Sequence, residues 1–207
     1  MKIKNKDLRS VIRKSIAESH ALPAGEVVVV VPDEEPELLG QDVVLGDPHR
    51  GDVLFHCLVG RVGFLRAMHL WFHAAHHVTR GVGFSGDHAS LYDTVYLGFQ
   101  GEVDAAVEKT IGLTGDESAA CPKSHMEIAM EILEDYPGPH QLDASDISRV
   151  GCDLVKDYLG TLDAIYEVLE TEGHMSLGLD DQLSASANNA ETFLYLLTQR
   201  SKTEIEN

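Results

Sequence analysis

Hydrophobic positions recur at helical spacing through most of the chain beyond residue 50 and predict four long helices. Their expected ranges are 51–80, 86–112, 145–172 and 179–200. In the second helix, apolar side chains return at every fourth position, as at Val95 and Phe99. A short extra helix is expected at about 124–135, and Asp143 or Ser145 is expected to cap the third long helix.

This order of elements predicts an all-α fold, a four-helix bundle with a short extra helix in its middle connection. Short turns make the first two helices antiparallel, and likewise the last two, whereas the longer connection can cross the length of the bundle. Gly81 and Gly83 are expected to permit the first reversal. We expect residues 1–50 to form an N-terminal arm, 51–200 the bundle and 201–207 a C-terminal tail.

The arm has two parts of different composition. Residues 1–19 have the pattern of a short amphipathic helix, and residues 21–50 contain four prolines and a run of five valines, which favours an extended segment. The first fourteen residues carry a net charge of +5 and could bind DNA phosphates. The basic residues concerned are Lys2, Lys4, Lys6, Arg9, Arg13 and Lys14.

The rest of the chain is strongly acidic. The formal net charge of the protein is −18, so the chain beyond the basic start carries −23. Such a body repels nucleic acid, which opposes DNA binding by the arm. Two interpretations of the acidity stay open: it serves solubility, or it forms a surface or inner wall that concentrates cations.

The sequence predicts a cytoplasmic protein. No run of eighteen apolar residues is present, so no membrane span is expected. The basic N-terminus is not followed by the apolar stretch of a secretory signal. Three cysteines without metal-type spacing are expected to be free thiols in a reducing compartment.

Histidines cluster around the first predicted turn. His69, His73 and His76 are spaced to lie near one face of the first helix, whereas His77 is expected to point elsewhere. The turn should bring His76 close to His88, early in the second helix. Taken singly, each histidine is more often an ordinary core or surface residue.

Carboxylates follow on the second helix. Asp93 lies near its start, and Asp104 and Glu108 are four positions apart and share a face. Such a pair is usually no more than a solvated surface. Combined with imidazoles, however, carboxylates suit borderline or hard divalent metals such as iron, manganese or zinc.

The stretch HHVTRGVGFSGDH, residues 76–88, resembles the signature of the Dps proteins, the DNA-protecting mini-ferritins. That signature has a His, usually followed by Trp, then a Gly, a Phe and a second His twelve positions after the first. LYDTVYLGFQGEVDAAVEKTIGL resembles the family's second helix, with Asp93, Tyr96, Asp104 and Glu108 at the expected places. The resemblance covers about residues 50–200.

The resemblance implies an iron site shared between two subunits. One chain would supply His76, His88 and Asp93, and its neighbour would supply Asp104 and Glu108. Twelve identical subunits would form a hollow shell that oxidises iron(II), preferably with hydrogen peroxide, and stores the ferric mineral. This ferroxidase activity would protect DNA from oxidative stress, and zinc or manganese could occupy the same site.

Two departures from the family pattern bear on that site. His77 stands where the family usually has Trp, so packing beside the site must differ. Asp93 lies five positions after His88 where the family usually has a spacing of four, and one inserted residue turns a helix by about 100°. Either a bulge absorbs the insertion, or His88 and Asp93 cannot both face the metal. In the second case His73 or His77 could substitute.

Other functions stay open from the sequence. Ferritins that hold both metals within one bundle use Glu-x-x-His on two helices, a pattern this chain lacks. A ferritin-like structural shell with a degenerate site is the main alternative to the ferroxidase, and a zinc-holding assembly without redox turnover is a third. The leader MKIKNKDLRSVIRK resembles those of tailed-phage proteins, which keeps a viral origin open.

Overall fold

The structure is a computed structural model that describes residues 48–202, and these residues form five α-helices and no strand. In chain order the helices are α1 (Pro48–Val78), α2 (Asp93–Thr114), α3 (Pro122–Leu133), α4 (Ala144–Thr171) and α5 (Leu177–Lys202). The predicted all-α class is therefore confirmed. The predictions for the basic arm, the valine run and most of the C-terminal tail lie outside the described residues.

The second predicted helix, 86–112, is one helical rod with an irregular start. A single turn at Phe84–Gly86 leads into a π-helical segment, Asp87–Tyr92, and regular α-helix begins only at Asp93. The sequence left a bulge between His88 and Asp93 open as one of two alternatives, and the π-helical segment lies in that stretch. The short predicted helix in the middle connection corresponds to α3.

The four long helices pack in two pairs around one apolar core. α1 lies along α2, and α4 lies along α5. The pairs meet mainly where α1 contacts α4, and α3 packs on the outside of α1. All four long helices contribute fully buried side chains to the core, among them Phe72, Phe99, Leu154 and Leu197.

The turn after α1 uses its two glycines differently. Gly81 has a φ of 80°, in the left-handed region that favours glycine. Gly83 has a φ of −80°, so its importance lies in space: a Cβ there would lie 2.8 Å from Oδ2 of Asp87. Gly83 thus leaves room for the Asp87 side chain, and only Gly81 serves the reversal as predicted.

At the start of α4 the cap is Asp143. Its Oδ1 accepts a hydrogen bond from the backbone N–H of Asp146 at 3.0 Å, which satisfies one of the free donors of the first turn. Ser145 instead donates its hydroxyl to the Asp143 carboxylate at 2.9 Å. Of the two predicted caps, Asp143 is therefore the one that forms.

A polar network crosses the middle of the core. The Arg61 guanidinium lies 3.8 Å from Oε2 of Glu102 and donates to Oε1 of Gln182 at 3.0 Å. Glu102 also accepts hydrogen bonds from the Ser186 hydroxyl and from the Asn189 amide. Because these residues come from α1, α2 and α5, the network ties three helices together.

One stretch of α1, Val53–Val78, is long and apolar enough to cross a membrane by length and composition. Of the 18-residue window that meets this criterion, 61% is buried inside the fold. A core helix of a soluble protein passes the same test, and α1 is the helix that contacts α2, α3 and α4.

Candidate metal centre

The π-helical segment before α2 is anchored to the fold at both of its ends. At its start, the buried Asp87 carboxylate accepts the Nε–H of Arg200, which is shared between its two oxygens at 2.7 and 2.9 Å. At its end, the buried Tyr92 hydroxyl lies 2.9 Å from the Ser148 hydroxyl. Two contacts to distant parts of the chain therefore hold this wide turn in place.

This segment absorbs the extra residue between His88 and Asp93. In a π-helical turn the backbone bonds run from residue i to i+5, so side chains five apart become neighbours, as side chains four apart are in an α-helix. His88 and Asp93 are five apart, and both lie beside the His76 ring. Of the two alternatives left open by the sequence, the structure has the bulge.

His76 and His88 form a reciprocal pair. Their rings stack with centroids 3.8 Å apart and planes inclined by 20°. Nδ1 of His76 lies 2.9 Å from the backbone oxygen of His88, and Nδ1 of His88 lies 2.8 Å from the backbone oxygen of His76. The Thr79 hydroxyl also donates to the His76 oxygen, at 2.8 Å, and the Phe84 ring stacks on His88. The two ring positions are thus set by the backbone.

These hydrogen bonds fix the tautomer of both rings. A carbonyl oxygen only accepts, so Nδ1 of each ring must carry the proton. In the neutral imidazole the lone pair then lies on Nε2, the nitrogen that a metal ion can bind. Histidine ligands commonly donate their other N–H to a backbone carbonyl in this way. Both rings therefore have the protonation pattern of metal ligands.

Asp93 and Tyr96 complete the surroundings of His76. Oδ1 of Asp93 lies 4.0 Å from Nδ1 of His76, and the Tyr96 ring meets the His76 ring with centroids 5.3 Å apart. Desolvation and the hydrogen bond and negative charge of Asp93 raise the pKa of the Tyr96 hydroxyl. His76, His88 and Asp93 are thus together at one end of the α1–α2 pair.

Asp104 and Glu108 do not join this group within one chain. They lie 11 and 15 residues beyond Asp93 on the same helix, which places them about 17 and 22 Å farther along its axis. Both are exposed, and Glu108 lines an open groove with Lys109, Leu113 and Gln182. Over residues 48–202 of one chain, no three His, Cys, Asp or Glu side chains are grouped to hold a metal ion.

The remaining histidines of α1 continue from His76 along the helix. The His73 ring lies between His69 and His77, with centroid distances of 5.8 and 4.5 Å. Nε2 of His73 and Nε2 of His77 are 3.1 Å apart. The expectation that the His77 side chain points away from the other histidines is wrong. His77 lies four residues after His73, and residues four apart on a helix are neighbours.

His69, like His73, is half-buried. Burial, together with the nearby His73 and Arg66, lowers the pKa of its imidazole, so the neutral form is favoured. Its Nδ1 is buried and has no hydrogen-bond partner among the described residues. The row therefore continues the imidazole surface from the centre along α1, with His69 as its neutral member.

The residues that support the centre were not predictable from the sequence. Asp87 and Arg200 are 113 positions apart, and Tyr92 and Ser148 are 56 apart, so no local pattern links either pair. The aromatic-leucine end of α5 indicated helix but gave no hint of an ion pair from its last turn. The available indication was the insertion itself, which requires a wide turn if both side chains are to share a face.

Replacing Arg200 with alanine should destabilise the fold and loosen the centre. The change leaves the carboxylate of Asp87 buried without its partner, and we expect a loss of about 3 kcal/mol in the free energy of unfolding. Chemical denaturation checks this value. The matched change Arg149→Ala breaks an exposed pair with Asp146 and should cost no more than about 0.5 kcal/mol. Equal effects of the two substitutions would contradict the anchoring role.

Comparison of the chain with protein-family models, with curated proteins and with solved structures finds no match. Support for a function therefore comes from two sources. One is the geometry around His76 and His88, and the other is the resemblance of residues 76–88 to the Dps signature.

Proposed function

We propose that this protein is a mini-ferritin of the Dps type, a ferritin-like four-helix bundle that oxidises and stores iron at sites shared between subunits. The observation that carries the proposal is the His76–His88 pair, with both Nδ1 atoms held by backbone oxygens and Asp93 beside it. The bond from His88 also satisfies a carbonyl oxygen in the last turn of α1, so the same contacts cap the helix and hold both rings beside Asp93.

The two halves of the proposed site are separate on one chain and complementary between chains. The first half has two imidazoles and one carboxylate, and the second has the exposed pair Asp104 and Glu108. Neither half alone satisfies a metal that takes five or six ligands. An interface that brings the first half of one subunit against the second half of its neighbour supplies the full set.

Exposed apolar side chains near both halves support such an interface. Val82 is exposed in the turn after α1, Phe84 is exposed where it stacks on His88, and Leu97 is exposed one turn beyond Asp93. Leu113 is exposed next to the groove that contains Glu108. A contact with a neighbouring chain at these two places would cover such exposed apolar side chains.

The chemistry suits iron as the substrate. Neutral imidazoles bind the incoming divalent ion, and carboxylates favour the trivalent product. Two iron(II) ions each give one electron to hydrogen peroxide, whose O–O bond breaks and which takes up two protons to leave as two water molecules. Zinc or manganese at the same site would bind without this turnover.

The remaining parts of the proposal concern partners. Twelve copies would enclose the mineral, and the acidic body would draw cations toward it. The basic arm, which lies outside the described residues, would contact DNA, with twelve arms giving avidity. A cytoplasmic, nucleoid-associated location follows from these roles, and the phage-like leader keeps a virion location as the alternative.

We expect a particle of twelve chains. Twelve copies of the 22.6 kDa chain give about 270 kDa, which light scattering coupled to size-exclusion chromatography measures directly. A dimer or a particle of twenty-four chains would contradict the proposal. A dodecamer that oxidises iron(II) no faster than buffer would instead support the structural shell with a degenerate site.

A further inference from the structure

A second pair of histidines, His73 and His77, lies on α1 next to the candidate centre. Their Nε2 atoms are 3.1 Å apart, and their ring centroids are separated by 4.5 Å. His77 is exposed and His73 is half-buried, so the two nitrogens meet at the surface. Because they are four residues apart, the helix itself keeps them together.

The separation of these nitrogens matches what one metal ion requires of two adjacent ligands. Imidazole nitrogens bind transition metals at about 2.0–2.1 Å, and two of them at an angle of about 100° are then about 3.1 Å apart. Without metal, one of the two Nε2 atoms carries a proton and donates it to the other. We propose that one divalent transition-metal ion binds both Nε2 atoms in place of this proton, which moves to Nδ1 of its own ring, with water completing the coordination.

The rings are held in position before any metal arrives. The His73 ring stacks parallel to His69, with planes inclined by 10°, and packs against the Tyr96 ring at a centroid distance of 4.7 Å. His77 packs against His76 at 5.2 Å. Rings restrained on several sides lose little freedom when they bind, which favours affinity.

The ligand set selects the class of metal. Two imidazoles without a thiolate suit zinc, nickel and copper, and the affinity for divalent ions of this series is highest for copper. Magnesium and calcium prefer oxygen ligands, so they should compete poorly at this pair. The site does not rest on the proposed function, since neither His73 nor His77 is one of the five proposed ferroxidase ligands.

Equilibrium dialysis of the full-length protein against zinc, followed by metal analysis, tests the proposal. We expect His73→Gln or His77→Gln to weaken one zinc site per chain by at least about tenfold, because a single imidazole loses the advantage of two linked ligands. The double substitution should remove that site. His140→Gln, which changes an exposed histidine elsewhere, should leave the number of bound ions unchanged.

Repeating the measurement in a protein that lacks the proposed ferroxidase carboxylates separates this site from the ferroxidase centre. In the Asp104→Ala plus Glu108→Ala protein, the same zinc ion should still bind and should still be lost when His73 and His77 are replaced. Circular dichroism and particle size establish that each variant is folded. If the double histidine variant binds as many zinc ions as the wild type in both backgrounds, with unchanged affinity, the proposal is overturned.

Discussion

Replacing both Asp104 and Glu108 with alanine should lower the rate of iron(II) oxidation by at least about 100-fold, because the loss of a residue that only orients a metal ligand already costs about 10–100-fold in metal affinity or activity. The two carboxylates form the second half of the proposed site and stabilise the trivalent product. Both are exposed in the single chain, so their loss should not disturb the fold. The initial rise in ferric absorbance after mixing with iron(II) and hydrogen peroxide measures the rate.

A matched control exists on another helix. Asp163 and Glu167 are also exposed and also four residues apart, on α4. Removing this pair takes away the same charge and should leave the oxidation rate within about twofold, since surface changes away from a site have small effects. A comparable loss in both variants would mean that general acidity, and not the pair on α2, drives iron oxidation.

Mixed assemblies test whether the site is shared. A His76→Ala subunit keeps the carboxylates, and an Asp104→Ala plus Glu108→Ala subunit keeps the histidines. When equal amounts are dissociated and reassembled together, random pairing at two-fold interfaces should restore about one quarter of the wild-type sites. A site contained within one chain would recover nothing, and that result would contradict the inter-subunit proposal.

The helices were predictable from sequence because each one depends on local information. Apolar spacing defined the four long helices, and the capping carboxylate of Asp143 marked the start of α4. Positions 76, 88 and 93 could also be selected as a group, since the first turn necessarily brings the ends of α1 and α2 together. The coarse geometry of the candidate centre therefore needed no knowledge of distant contacts.

The π-helical segment was not predictable in the same way. Its i to i+5 bonding is less favourable than regular α-helix in isolation and is stabilised here by contacts from Arg200 and Ser148. Both partners are far away in the chain. Only the assembled fold therefore decides between a bulge and a regular helix in which His88 and Asp93 would lie on different faces. The His73–His77 contact differs, because it follows from a local spacing of four that lies beside the face defined by His69, His73 and His76.

The buried network around Arg61 gives the second large effect. Changing Arg61 to leucine should lower the free energy of unfolding by about 3–5 kcal/mol, because it leaves the carboxylate of Glu102 buried without its cation. Changing both Arg61 and Glu102 to leucine should recover much of this loss, since no charge then remains buried. Urea denaturation at one protein concentration checks both values. Equal stability of the single variant and the wild type would contradict a role for the ion pair.

The pH dependence of that loss is a separate consequence. Burial raises the pKa of Glu102 above its ordinary value, against the opposing effects of Ser186, Asn189 and Arg61. An acid whose pKa is higher in the folded state than in the unfolded state makes the protein less stable as pH rises between the two values. Removing Arg61 takes away one influence that lowers this pKa, so the loss should be largest near neutral pH and smaller at about pH 5. The variant with leucine at both Arg61 and Glu102 lacks the titrating carboxyl group. Its stability, measured relative to the wild type, should therefore not improve when the pH is lowered to about 5. A loss in the Arg61→Leu protein that stays constant across this range would mean that broken packing, and not the buried charge, destabilises it.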